Sequence, residues 1–190
     1  MKNSPARQEW EAAVLRLFED EYSFVASGPR VHESWLTDVL AVMARRTTDP
    51  RGWVTLDWDK EENARDSRRD VSFPFHVVAE DRLGEILREI TPELAERFVV
   101  LLTDEWFKVG NIPNFAERKE GILADARTLL ARYGSECSYY ATVGEMAEVR
   151  DSDFFPRFTG ESGMTDYLMD LGLVAVSPSE VGVVWRFNAH

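Results

Sequence analysis

Asp57, Asp59 and Glu61 are the first residues in this chain whose types and spacing suggest chemistry. Side chains alternate faces along a strand, so carboxylates at every second position project from one side of it. Such a row of oxygens suits a hard cation such as Mg²⁺ or Ca²⁺, which makes a metal-dependent enzyme or metal-binding domain one alternative for the chain. The solvent face of a half-buried strand carries the same residues without any metal, and that is the preferred reading. His32, His76 and His190 are scattered, without the HxxxH or HExxH spacing that sets two imidazoles on one helix face. His76 is opposite in parity to Phe75 and Val77, which turns it toward solvent or a loop. Cys137 shares parity with Tyr139 and Val143 and reads as a buried structural thiol. There is no G-x-S-x-G, P-loop or G-x-G-x-x-G. No catalytic residue is assigned, and no cofactor or bound metal is expected.

The stretch from Asp57, DWDKEENARDSR, starts like an EF-hand loop and then departs from it. Glu62 stands where that loop needs glycine, and Arg68 where it needs a bidentate glutamate. Further on, Leu168–Met169–Asp170–Leu171–Gly172–Leu173–Val174 followed by a hairpin resembles the end of a winged-helix unit. Residues 164–171 read as a short helix closed by Gly172, and the resemblance implies a protein-assembly module as a second alternative. The family reads DNA with a basic helix before the wing. Here no Lys or Arg lies between Arg157 and Arg186, while Glu161, Asp166 and Asp170 do. That charge repels phosphate, so contact with protein is the expectation.

Charge gives the broadest functional signal. The net charge is −12 and the pI about 4.7. Residues 134–190 hold nine acids against three bases, and 71–110 hold eight against four. Such a surface disfavours nucleic acid and favours a basic protein as partner. The sharpest concentration is 145–170, with seven acids and two arginines among Phe154, Phe155, Phe158 and Tyr167. Aromatic anchors among steering charges suit a protein-binding face. Asp151, Asp153, Phe154, Phe155, Glu161 and Asp166 are its expected contact residues. The competing reading is an acidic loop whose phenylalanines fold back onto the core. The function expected is a non-enzymatic acidic binding protein that recognises a basic protein, as an inhibitor or toxin-immunity protein does.

The elements that must position these residues follow from periodicity. The pivot is 91–108, TPELAERFVVLLTDEWFK: Thr91 caps, Pro92 fits the first turn, and Leu94, Phe98, Leu101, Leu102 and Trp106 recur at helical spacing. Ser4–Pro5 opens an earlier helix whose stripe continues through Trp10, Val14, Leu17, Phe18, Tyr22 and Val25 to a stop at Gly28–Pro29. A second helix over 31–46 turns Leu36, Val39, Leu40 and Met43 inward and pairs antiparallel with the first. Residues 53–59 and 71–78 alternate as strands of a hairpin, with Pro74 restricting the second to an edge or a bulge. Residues 80–90 read as a short helix. Asn114 and Glu117 form a capping-box-like start for a helix that ends at Gly134. Cys137–Val143 alternates as a strand, and 173–177 with 181–187 form a hairpin across Pro178–Ser179–Glu180.

These patterns predict an α+β fold: a helix-rich N-terminal two-thirds on a small, mostly antiparallel sheet, with a C-terminal β-hairpin. One compact domain over 1–190 is expected, with a soft boundary near 134. MKNSPARQEW has no apolar h-region, and the longest apolar runs, the six residues 39–44 and the five residues 98–102, are too short for a membrane span. A soluble, cytoplasmic protein is expected, and no oligomeric state is indicated.

Overall fold

Thr91 starts the helix that the core is built on. In the computed structural model, which describes residues 7–18, 22–47, 74–142, 163–165 and 167–188, its hydroxyl accepts from the Leu94 amide and Pro92 opens the first turn. The described helices are α1 (Arg7–Leu17), α2 (Trp35–Met43), α3 (Glu80–Ile86), α4 (Pro92–Leu101) and α5 (Phe115–Ala131). The strands are β1 (Ser23–Pro29), β2 (Leu87–Ile90), β3 (Ser138–Thr142), β4 (Met169–Val176) and β5 (Glu180–Asn188). They form one antiparallel sheet in the order β1-β5-β4-β3-β2, so the class is α+β with a C-terminal hairpin. The sheet draws strands from both sides of residue 134.

Alternation along the strands sorts the core into two clusters, one on each face. Leu171, Leu173 and Ala175 of β4, with Val184 and Val25, meet α1, α4 and α5. Val174, Val176, Val181, Val183, Trp185 and Phe187, with Phe24 and Ala26, meet α2 and Leu83 of α3. Because both faces are covered, β4 and β5 are buried almost throughout and read as near-continuous apolar runs.

Close approach explains two glycines. Gly172 lies opposite Trp185, and a Cβ there would sit 1.9 Å from the indole. At Gly182 the same atom would meet the Tyr133 hydroxyl at 2.0 Å. The first face also buries polar groups. Arg132 stacks 4.4 Å over Trp10 and pairs with Glu180 at 3.3 Å, Tyr133 and Ser27 share a 2.7 Å bond, and Arg186 reaches Ser23.

Several expectations need correction. The first helix stops at Leu17, and 23–29, placed on its stripe, is edge strand β1. Tyr22 and Val25 fit a helical spacing from Phe18, but the pairing of Ser23–Pro29 with β5 wins. The expected α1–α2 pair therefore does not form; α1 packs on α5, and α2 covers the opposite face of the sheet. α2 begins at Trp35, not Val31, because Asp38 holds the Val31 and His32 amides outside the helix. The pivot helix ends at Leu101. Asp104 accepts from the Trp106 and Lys108 amides, offering the backbone a local alternative to helix, and Trp106 is left 39% exposed. Residues 87–90 leave the helical reading to pair with β3. Asn114 takes φ 55° and makes no side-chain cap, whereas Gly134 has the positive φ of 82° expected of a helix stop.

Residues 169–171 belong to β4, so the short helix expected over 164–171 is absent from them. Of the expected 53–78 hairpin, the described part offers a single bridge from Phe75 to Thr165, and Val77 is 72% exposed. Residues 53–59 lie outside the described residues.

Candidate functional site

Asp57, Asp59 and Glu61 fall outside the described residues, as do Asp151, Asp153, Phe154, Phe155, Glu161 and Asp166. Among the described residues no cluster of three or more His, Cys, Asp or Glu is placed to hold a metal. Cys137 is partly buried, and desolvation pushes its thiol up to about 11, so little thiolate forms near neutrality. Burial also raises Tyr133, to about 12, and Tyr139 further. These groups are held neutral, as structural side chains are.

The most chemically organised region is the entry to α2. Asp38, in the first turn of the helix, is almost fully buried and collects the amides of Val31 and His32 at 3.2 and 3.3 Å. The His32 Nδ1 lies 2.6 Å from Asp38 Oδ1, and Arg30 Nε is 3.8 Å from Oδ2. A carboxylate accepts only, so Nδ1 carries the shared proton and Nε2 is the ring nitrogen left for a ligand. The His32 ring is half exposed. Beside it, Glu80 at the start of α3 accepts from Ser34 Oγ at 2.6 Å and from Thr37 Oγ1, tying the first turns of α2 and α3 together.

Those hydroxyl bonds, Ser34 first and then Thr37, hold Glu80 below the ordinary glutamate value, with a smaller contribution from the His32 charge. A carboxyl depressed in the folded state adds stability that is complete above the ordinary glutamate range. It is lost as pH falls through the depressed value. Thermal melts of wild type and Glu80→Gln from about pH 7 to about pH 3 should therefore start apart, wild type higher, and converge on acidification. A pH-independent gap would show that the ionised form is not what the hydroxyls stabilise.

A cleft of about 470 Å³ opens between α2 and residues 75–78, lined by His32, Thr37, Leu40, Arg46, Phe75 and His76 among others. The two histidines, 44 positions apart in the chain, thus meet in one cavity. His76 is exposed, but so is Val77, which strand parity places on the opposite side, and 76–79 is not strand. No sequence motif joins His32 to Asp38, and the six-residue offset has meaning only because the helix starts between them. A second groove of about 540 Å³ runs between α1 and α5. Two of its charges are spent on each other, since Arg16 clasps Asp125 through bonds of 2.6 to 3.1 Å.

The surface charges are distributed unevenly. Described arginines are engaged within the chain: Arg7 with Glu11, Arg82 with Glu85, Arg127 with Glu96, Arg88 and Arg118 with backbone carbonyls, and Arg45 over Phe24. Among the described residues Arg46 and Lys108 have side chains without such a contact. Glu33, Asp81, Glu89, Glu93, Glu117, Glu120 and Glu136, by contrast, are exposed and join no ion pair. No described helix is long and apolar enough to cross a membrane. No family model matches the chain, and neither the curated proteins nor the solved structures contain a match to it.

Proposed function

We propose that this chain is an acidic binding protein that recognises a basic protein partner, in the manner of an inhibitor or toxin-immunity protein. The observation that supports it is the asymmetry of surface charge. Most described cations, all but Arg46 and Lys108, are engaged in intrachain contacts, while seven described carboxylates stand exposed and unpaired. Such a surface steers a basic partner into encounter over a Debye length of about 10 Å at 0.1 M salt. Within this reading Asp151, Asp153, Glu161 and Asp166 add steering charge, and Phe154 and Phe155 act as anchors.

The test is capture from native lysate followed by stopped-flow association with the captured protein. The partner should be basic and its on-rate should fall as salt is added. Asp151→Lys with Asp153→Lys, or Glu89→Lys with Glu93→Lys, should slow association. Phe154→Ala or Phe155→Ala should mainly speed dissociation, because buried anchors hold a complex after encounter. An acidic partner, or association indifferent to salt and to these reversals, would reject the proposal.

A further inference from the structure

We infer that the cleft beside α2 binds a small organic carboxylate with an apolar tail. This does not depend on the protein-partner reading, and it rests on the contrast between the cleft and the rest of the molecule. On a chain of net charge −12, the described lining of the cleft holds an arginine and two histidines, and among the described residues no carboxylate lines it. The two acids nearby stand behind those donors with their oxygens already occupied, Asp38 by His32 and two amides, Glu80 by Ser34 and Thr37.

Arg46 supplies the charge. The end of α2 is already closed by its own backbone: Arg46 N donates to the Ala41 carbonyl at 2.8 Å and Arg45 N to that of Val42 at 2.9 Å, with Arg45 at φ 52°. This is a Schellman closure, so the last carbonyls do not require the Arg46 guanidinium. Arg46 is exposed, lines the cleft, and among the described residues its guanidinium makes no hydrogen bond or ion pair. A planar fork of N–H donors matches a carboxylate with two parallel bonds. His32 adds a second donor or acceptor at Nε2, its ring orientation fixed by Asp38.

The floor is apolar and rigid. Phe75 is buried against Phe24 and Trp185 at ring distances of 5.2 and 5.4 Å, and Leu40 continues the surface from α2. A cavity of about 470 Å³ with a mostly apolar wall and a few convergent polar groups has the size and make-up of a small-molecule site. The apolar floor rewards a hydrocarbon tail, which separates an organic acid from inorganic phosphate.

Isothermal titration of the whole chain with hexanoate, hexanol, hexylamine and inorganic phosphate tests this. Hexanoate should bind saturably with one site, and the other three at least about tenfold more weakly, since a charge-assisted pair and a buried tail are both needed. Arg46→Gln should weaken hexanoate about tenfold or more while leaving the thermal melt unchanged. Leu40→Ser should flatten the gain in affinity from butanoate to octanoate. Absence of saturable hexanoate binding, equal binding of hexanol or phosphate, or full affinity in a folded Arg46→Gln variant would each overturn the assignment.

Discussion

Gly172→Ala is expected to lower the unfolding free energy by about 3 kcal/mol. The added Cβ would lie 1.9, 2.2 and 2.3 Å from three atoms of the Trp185 ring, well inside van der Waals contact. The indole has nowhere to retreat. It is fully buried, meets Phe75 edge-on at 5.4 Å, and donates from Nε1 to Asp170 at 3.2 Å. Loss of a few kcal/mol matters to a domain whose total is typically about 5–15 kcal/mol. Urea denaturation reads the effect, and Gly121→Ala is its control. That position lies within α5 with nothing inside 4 Å of the new methyl, so alanine should stabilise by about 0.5–1 kcal/mol. Trp185→Leu should relieve part of the Gly172→Ala loss in a double-mutant cycle. Additive losses would mean that the two residues do not meet as described.

Phe98→Ala should cost about 3–5 kcal/mol and Leu102→Ala about 2–5 kcal/mol, whereas Trp106→Ala should change stability by no more than about 0.5 kcal/mol. The three residues share one periodic stripe in the sequence, which makes the contrast informative. Phe98 and Leu102 sit in the cluster that α1, α4 and α5 make with the sheet, at 1% and 0% exposure. Truncating either removes apolar burial and leaves a cavity that close-packed neighbours fill only in part. Trp106 lies beyond the helix end, in the turn organised by Asp104. Denaturant midpoints for the three variants settle the matter. Equal losses at all three positions would place Trp106 back in the core.

Legibility of the fold tracked how local each decision was. Thr91–Pro92 announced a helix start because cap and proline act within one turn, and the β4–β5 hairpin was visible because its turn and strands are adjacent. The end of α4 was missed because an aspartate side chain competes with the next helical turn, and apolar spacing carries no trace of that competition. β1 was missed for a different reason. Phe18, Tyr22 and Val25 satisfy a helical period, and the partner that makes 23–29 a strand begins at residue 180. Short apolar runs do not decide between helix and strand by themselves. Residues 169–171 failed likewise, since Leu and Met suit a helix and only pairing with β5 extends them. The cleft was the least legible feature. His32 and His76 were noticed as isolated, and nothing in their spacing told that α2 and the 75–78 segment would face each other.

The pairing of β1 with β5 has a consequence for how the chain is made. Synthesis at about 5–20 residues per second puts roughly 8 to 30 seconds between the emergence of Pro29 and that of Glu180. Throughout that interval β1 lacks the only described strand it pairs with, and its Phe-Val-Ala run has no sheet to enter. An unpaired apolar strand is the kind of segment that other chains capture. The nascent protein should therefore lean on ribosome-associated holding factors until residues 180–188 have cleared the exit tunnel. A ribosome stalled at residue 170 should yield a protease-sensitive chain, not a smaller folded one. Closure of this sheet therefore waits on residues 180–188, set by where its second strand in space falls in the message.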